Sequence, residues 1–243
     1  MGSRLLPADR QGEVGHRYVL GVYALMERLV TAYPDVLFES CSGGGGRFDA
    51  GMLYYMPQIW TSDDTDAIMR LTIQYGTSLI YPPSAISAHI SACPNHQTWR
   101  DTPYHTRQNV AFTGAFGFEL NPLRLSEEDK ENMRKTAADY KAYGDLFVNG
   151  DFYRLANLYD DPYSAWMYMR PDTSEVFVVY VVPDVNLEGD YRRIRLVGID
   201  EDAVYVDAET GQEYQGAQLL NYGLVIGAAS GERWSKFWHL KRK

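Results

Sequence analysis

The stretch PQIWTSDDTDAIMRLTIQY, residues 57–75, joins a short apolar strand to a helix through a loop rich in aspartate. The pattern predicts a strand over Pro57–Trp60 and a helix over Ala67–Tyr75. A strand followed by a short loop and a helix is the βα unit from which parallel sheets are built. This unit therefore indicates an α/β architecture in the first part of the chain.

Other βα units lie on both sides of this stretch. Helical spacing of apolar residues from Gly12 to Tyr33 predicts a helix, and Val36–Phe38 predicts a short buried strand that leads into the glycine-rich run Cys41–Gly46. A short helix is expected over Ala50–Tyr55. Further along, the sequence predicts strands at Ser87–Ile90 and Ala115–Leu120, a helix near 106–114, and a long helix that begins at Ser126, where Asp129 completes a capping box, and ends near Leu146.

The pattern changes after Gly150 to alternating aromatic and β-branched residues, which are typical of antiparallel strands. Strands are expected at Ala165–Met169, Val176–Val182, Arg192–Leu196, Val204–Val206 and Trp234–Leu240, with a hairpin turn at Asp207–Gln212. Two domains follow from this change, one over residues 1–149 and an all-β one over 150–243.

The number of strands decides between a small open sheet and part of a barrel. A closed β/α barrel needs eight strands and about 250 residues, whereas the region before Gly150 offers about four strands and opens on a helix. The second half of a (β/α)8 barrel of the TIM type therefore fits this region better than a small open sheet.

Composition excludes several classes of function. The chain has 243 residues, with 32 acidic and 23 basic side chains and a net charge of −9, which argues against nucleic-acid binding. No apolar stretch approaches the roughly 20 residues of a membrane span, and no secretory leader is recognisable, so we expect a cytoplasmic protein without membrane contact. Cys41 and Cys93 lack metal-ligand spacing and are expected to be free thiols, and we expect neither a metal nor another cofactor.

Asp63, Asp64 and Asp66 follow an apolar strand, where parallel β/α proteins place catalytic groups. Crowding raises the cost of ionising all three, so at least one is expected to stay protonated near neutral pH, as a general acid requires. Two alternatives remain open at this point. The aspartates can instead interact with the N-terminal dipole of the following helix, or bind magnesium.

The run Cys41–Gly46 lets the backbone approach a ligand closely, although a flexible turn is an equally good interpretation of the run alone. Arg47 and Phe48 follow the glycines where a phosphate loop needs Lys and Ser or Thr, and the glycine spacing does not fit a dinucleotide fingerprint. Ser42 lacks the preceding glycine of a nucleophile elbow, since position 40 is Ser40.

Taken together, FESCSGGGGRFD (residues 38–49) and PQIWTSDDTDA (residues 57–67) resemble two motifs of the family 36 α-galactosidases. The resemblance extends over essentially the whole chain. It implies a retaining enzyme that removes terminal α-galactose from oligosaccharides by means of a (β/α)8 barrel, which is followed by a small antiparallel C-terminal β-sandwich.

The resemblance also implies roles for individual residues. Asp63 is expected to be the general acid/base. Cys41, Ser42 and Gly44 are expected to lie against the galactose. Asp64 is expected to contact the substrate, and Asp66 to have a supporting role. The family nucleophile belongs to a Lys-Trp-Asp motif, which this sequence does not contain.

The chain is accordingly expected to be a fragment that is inactive alone and needs the missing N-terminal portion, with a homo-oligomer as a further expectation. The alternatives are a non-catalytic sugar-binding module or a degenerate fragment. A retaining glycosidase needs both carboxyl groups, so the absence of the nucleophile motif is what makes these alternatives relevant.

Overall fold

The computed structural model describes residues 2–184, 192–227 and 231–243. The chain divides into two compact units, Met1–Trp60 and Thr61–Lys243. Both units mix helices with strands, and the described residues do not close a barrel.

The first unit contains two helices and one pair of parallel strands. After a 3-10 turn at Ala8–Glu13 come α1 (Val14–Ala32), β1 (Glu39–Ser40), α2 (Ala50–Tyr55) and β2 (Gln58–Ile59). The predicted helices are confirmed, α2 with its predicted bounds. β1 and β2 pair in parallel, with Ser40 opposite Ile59, as expected for neighbouring strands of βα units. Tyr23 Oη donates to Asp49 Oδ1 at 2.6 Å and so ties α1 to the start of α2.

The predicted strand at Val36–Phe38 is wrong. The strand begins at Glu39, directly after the predicted segment, and the apolar residues before it are not buried, with Leu37 89% exposed. An apolar run becomes a buried strand only where another helix or strand packs on it, and local sequence does not show whether such packing occurs.

The second unit begins with a helical region. It consists of α3 (Ala67–Ser78), β3 (Ser87–Ser91), α4 (Tyr104–Ala111), β4 (Ala115–Glu119) and α5 (Glu127–Asn149). β3 and β4 are parallel, with Ser87 opposite Ala115, and both predicted strands are confirmed. The capping box at Ser126 and Asp129 is also confirmed, and it satisfies backbone amides at the start of α5.

A six-stranded sheet forms the centre of the second unit, in the order β10-β9-β12-β7-β6-β5 with all pairs antiparallel. Its strands are β5 (Asp151–Ala156), β6 (Ser164–Met169), β7 (Glu175–Val182), β9 (Val204–Asp207), β10 (Glu213–Gln215) and β12 (Trp234–Arg242). The closing strand β12 lies between β7 and β9, inside the sheet. The hairpin turn after β9 is confirmed, with the Asp207 amide donating to the Gln212 carbonyl at 2.9 Å.

Both faces of the sheet are buried at its central strands β6 and β7, whose successive residues alternate between two cores. One face packs on the helices and contributes Trp166, Tyr168, Phe177, Val179 and Val181, together with Ile68 and Leu71 of α3, Val110 of α4 and Phe147 of α5. The opposite face packs on a second sheet of β8 (Arg192–Ile194) and β11 (Leu224–Ile226) and on α6 (Gly216–Asn221).

The sequence missed β5, β10, α6 and β11. Three of these elements are short, and β5 is only partly buried, so none of them has a strong hydrophobic period.

Polar contacts also join the helical region to the sheet. Thr106 Oγ1 donates to the Arg233 carbonyl at 2.6 Å, and Asn109 Nδ2 donates to Ser235 Oγ at 2.8 Å.

Candidate active site

A chain of side-chain-to-backbone hydrogen bonds shapes the aspartate loop before α3. Ser62 Oγ accepts from the Asp64 amide at 3.1 Å, Asp64 Oδ1 accepts from the Asp66 amide at 2.9 Å, and Asp66 Oδ1 accepts from the Ile68 amide at 2.8 Å. Short polar side chains favour such turns because they replace the backbone partners that the loop lacks. The last of these bonds makes Asp66 the N-cap of α3.

Asp66 is a buried, paired carboxylate. Its side chain is 1% exposed, Arg100 Nη1 donates to Oδ2 at 2.6 Å, and Thr98 Oγ1 donates to the same oxygen. Burial raises its pKa, but the bonds from Thr98, Ile68 and Arg100 outweigh burial, and the pKa is lower than that of an ordinary aspartate. Crowding of the three carboxylates predicted a raised pKa for at least one of the aspartates, whereas the pKa of Asp66 is lowered. For Asp66 the interpretation as a helix start is the correct one.

Asp63 has a different environment from Asp66. It is exposed, and among the described residues no hydrogen-bond or ion-pair partner contacts its carboxylate. Its backbone is held instead, since Gln97 Nε2 donates to the Asp63 carbonyl at 2.7 Å. The Oε1 atom of Gln97 accepts from the Thr65 amide at 2.8 Å and from Thr65 Oγ1 at 3.1 Å. The main chain of Asp63 is therefore fixed while its carboxylate remains available.

The loop over residues 94–102, which we call the clamp loop, supplies most of these contacts. Asn95 is buried and donates from Nδ2 to Thr65 Oγ1 at 2.8 Å, while its Oδ1 accepts from the amides of Gln97 and Thr98 at 2.9 and 3.0 Å. Local sequence did not reveal the contacts of Asn95, Gln97 and Thr98, because Asn, Gln and Thr after a proline indicate only a turn. Their partners lie about 30 residues earlier in the chain.

Arg70 holds the aspartate loop from the helix side. It is buried, donates from Nη1 to the Ser62 carbonyl at 3.1 Å and from Nη2 to the Ser87 carbonyl at 2.8 Å. Burial lowers its pKa to about 10, although the charge of Asp64 acts in the other direction. Arg70 thereby connects the aspartate loop to the start of β3.

The glycine-rich run in the first unit forms a closed turn. The Gly46 amide donates to the Ser42 carbonyl at 2.9 Å, and Arg47 Nη2 donates to the Cys41 carbonyl at 3.3 Å. Gly43, Gly44 and Gly45 have φ values of 57°, 72° and 94°, a left-handed succession that glycine adopts at little cost. Cys41 is an exposed free thiol, and Ser42 is half-buried. The turn leaves backbone and thiol groups accessible.

Neither a metal cluster nor a membrane helix is found in the part of the chain that the structure describes. No three His, Cys, Asp or Glu side chains within it are arranged to hold a metal ion. Within the same residues, no helix has the length and apolar character needed to cross a membrane.

Two protein-family models match the chain. Residues 1–150 match the model named Melibiase, and residues 163–240 match the glycosyl hydrolase family 36 C-terminal domain. The chain belongs to glycoside hydrolase family 36. The matched residues include the aspartate loop and the glycine-rich turn.

Named relatives of this family 36 chain are α-galactosidases. It is 46% identical over 243 residues to α-galactosidase AgaA of Geobacillus stearothermophilus, covering 99% of this chain and 33% of AgaA. It is 51% identical over 217 residues to the bifunctional α-galactosidase/sucrose kinase AgaSK of Mediterraneibacter gnavus, covering 88% of this chain and 23% of AgaSK. The family 36 chain therefore spans about a third of AgaA and less of AgaSK.

The crystal structure of AgaA superposes on all of the family 36 chain with a TM-score of 0.95 at 45% identity, and the match covers 34% of AgaA. A variant of AgaA has been crystallised in complex with raffinose. The fold of the family 36 chain is thus that of the corresponding third of a family 36 α-galactosidase.

Proposed function

We propose that the chain carries the acid/base part of a retaining α-galactosidase site, with Asp63 as the general acid/base. The main support is the contrast between Asp63 and Asp66. Asp63 has a fixed backbone and an exposed carboxylate without a partner among the described residues, whereas Asp66 is an ionised cap held by Arg100. A general acid must reach the substrate and exchange its proton, and Asp63 is free to do so.

The proposed chemistry is that of a retaining glycosidase. Asp63 donates its proton to the glycosidic oxygen as the bond to the anomeric carbon breaks, and a second carboxylate takes that carbon to form a covalent galactosyl intermediate. Asp63, now a carboxylate, then removes a proton from the water that releases galactose. In retaining enzymes the two carboxyl groups lie about 5–5.5 Å apart. The second carboxylate is proposed to come from the portion of a family 36 enzyme that this chain does not span.

The proposed substrate is an oligosaccharide with a terminal, non-reducing α-galactose. Cys41, Ser42 and Gly44 are proposed to contact the galactose, since their closed turn offers accessible backbone and thiol groups. Asp64 is proposed to act with them. We further propose a half-barrel domain over residues 1–149, a C-terminal β-sandwich domain over 150–243, a homo-oligomeric assembly and a cytoplasmic location.

A chimeric enzyme tests the acid/base assignment. The matching third of AgaA would be replaced by this chain, 99% of which aligns with 33% of AgaA. Asp63→Ala is expected to lower kcat/KM for raffinose by about 10²- to 10⁴-fold, because a general acid contributes a factor of that size. An aryl galactoside with a good leaving group should lose less, and azide should partly restore its turnover by replacing the activated water.

The control is Asp172→Ala, which removes another exposed aspartate from a turn in the second unit. It should leave both rates unchanged. Full activity toward raffinose in the Asp63→Ala chimera would show that the assignment is wrong, and Asp64 would then be the next residue to replace.

The isolated chain is expected not to hydrolyse p-nitrophenyl α-galactoside, because the proposed nucleophile is not in its sequence. Turnover that exceeds the buffer blank and disappears with Asp63→Ala would contradict this expectation. A galactose titration of the same sample would show whether the chain binds sugar without catalysis.

A further inference from the structure

Trp99 in the clamp loop is an exposed aromatic residue with an unusual backbone. Its side chain is 79% exposed, and among the described residues its ring makes no aromatic or cation–π contact. Its φ of 57° lies in the left-handed region, which bulky side chains avoid at a cost of about 1–3 kcal/mol. Packing of the Trp99 ring does not account for this conformation.

The surrounding hydrogen bonds hold Trp99 in that conformation. The Trp99 amide donates to the Asn95 carbonyl at 2.9 Å, and the Asn95 amide donates to the Arg100 carbonyl at 2.9 Å. Arg100 is in turn fixed by Asp66. Backbone strain that persists because its surroundings enforce it is concentrated at ligand-binding and catalytic sites.

The same loop holds the proposed acid/base. Gln97, two residues before Trp99, donates to the Asp63 carbonyl, and Thr98 donates to the Asp66 carboxylate. The Trp99 ring is therefore carried by the segment that also fixes the aspartate loop.

We infer that Trp99 is a specificity-determining residue whose indole ring stacks on the sugar unit bonded to the terminal galactose. This inference rests on the proposed function. A general acid contacts the glycosidic oxygen, and the leaving sugar lies on the far side of that oxygen from galactose. An exposed ring on the loop that fixes the Asp63 backbone is therefore assigned to the leaving sugar, whose C–H groups form an apolar face for an aromatic ring.

Nuclear magnetic resonance of the chain tests the inference directly. The five tryptophans give five indole N–H signals, and the one that is lost in Trp99→Gly belongs to Trp99. Raffinose is expected to shift this signal, whereas galactose alone should leave it in place while shifting amides of the Cys41–Gly46 turn. Trp99→Gly should weaken raffinose binding by about two- to tenfold and leave galactose binding unchanged.

Two further variants and a melting curve separate stacking from a structural role. Trp99→Tyr should restore most of the raffinose affinity, and Tyr159→Ala, which removes another exposed ring in the second unit, should have no effect on it. Trp99→Gly should not lower the melting temperature, because glycine tolerates a φ of 57°. A structural residue would show the opposite combination, a lower melting temperature with unchanged raffinose affinity.

Three further results would also overturn the inference. Shifts in the Cys41–Gly46 amides with an unmoved Trp99 signal would reject the stacking role alone. A Trp99 signal that moves with protein concentration in the absence of sugar would assign the ring to contact between chains. If raffinose shifts no signal, Trp99 of this chain does not hold the sugar, while the proposed function is decided separately by the Asp63→Ala chimera.

Discussion

Replacing Asp66 by alanine should destabilise the second unit, because it removes the N-cap bond to Ile68 and the bonds from Arg100 and Thr98. Loss of an N-cap costs about 1 kcal/mol. Loss of the Arg100 and Thr98 partners should add about 1–2 kcal/mol, a value between those for exposed and buried ion pairs, because Asp66 is buried while Arg100 is 30% exposed. The expected total is about 2–3 kcal/mol, or a melting temperature lower by about 4–12 °C in a chain of this size.

The assay is urea denaturation followed by circular dichroism, with Ser126→Ala as the matched control. Ser126 caps α5 through its side chain but has no ion-pair partner, so this variant should cost only about 1 kcal/mol. Asp66→Asn preserves the cap and removes the charge, and should therefore lie between wild type and Asp66→Ala.

The pH dependence provides the sharper test of the ion pair. Because the pKa of Asp66 is lower in the folded chain than in the unfolded chain, its contribution is fully present above the unfolded pKa of about 3.9 and is lost as the pH falls through the folded pKa. Asp66→Asn should lack this contribution at every pH. Identical stability of wild type and Asp66→Asn at pH 7 and at pH 3 would refute the ion-pair reasoning.

Three other predictions concern different parts of the chain. Phe147→Ala should cost about 3–5 kcal/mol in urea denaturation, because Phe147 is buried between α5 and the sheet, whereas the exposed Val148→Ala should cost less than about 0.5 kcal/mol. Glu175→Gln should reduce stability at pH 7 by about 1–3 kcal/mol. Burial raises the Glu175 pKa, but the bonds from its histidine and arginine partners lower the pKa by more than burial raises it. The stability difference between Glu175→Gln and wild type should therefore shrink below about pH 4.3. A difference that does not change with pH would contradict this reasoning. Ellman's reagent should modify Cys41 faster than Cys93, because burial and a hydrogen bond to an aspartate raise the pKa of Cys93, and Cys41→Ser should remove the fast phase.

Local sequence was sufficient for the elements with a strong period or a defined cap. The periodicity before Tyr33 predicted α1, and the serine and aspartate at the start of α5 predicted its capping box. The two motifs around Gly44 and Asp63 were also sufficient to recognise the family. These features depend on residues within a few positions of one another, so they are encoded in short stretches of the chain.

Distant contacts decided what the sequence left open. Asp63 and Asp66 are the same residue type in one short loop, yet only Asp66 meets Arg100 and Thr98, which lie more than 30 residues away and keep it buried and ionised. The exposure of Leu37 and the two buried faces of the central sheet depend in the same way on which elements cover them. Periodicity and caps are properties of neighbouring residues, whereas burial, charge pairing and strain at Trp99 arise only when separate segments meet.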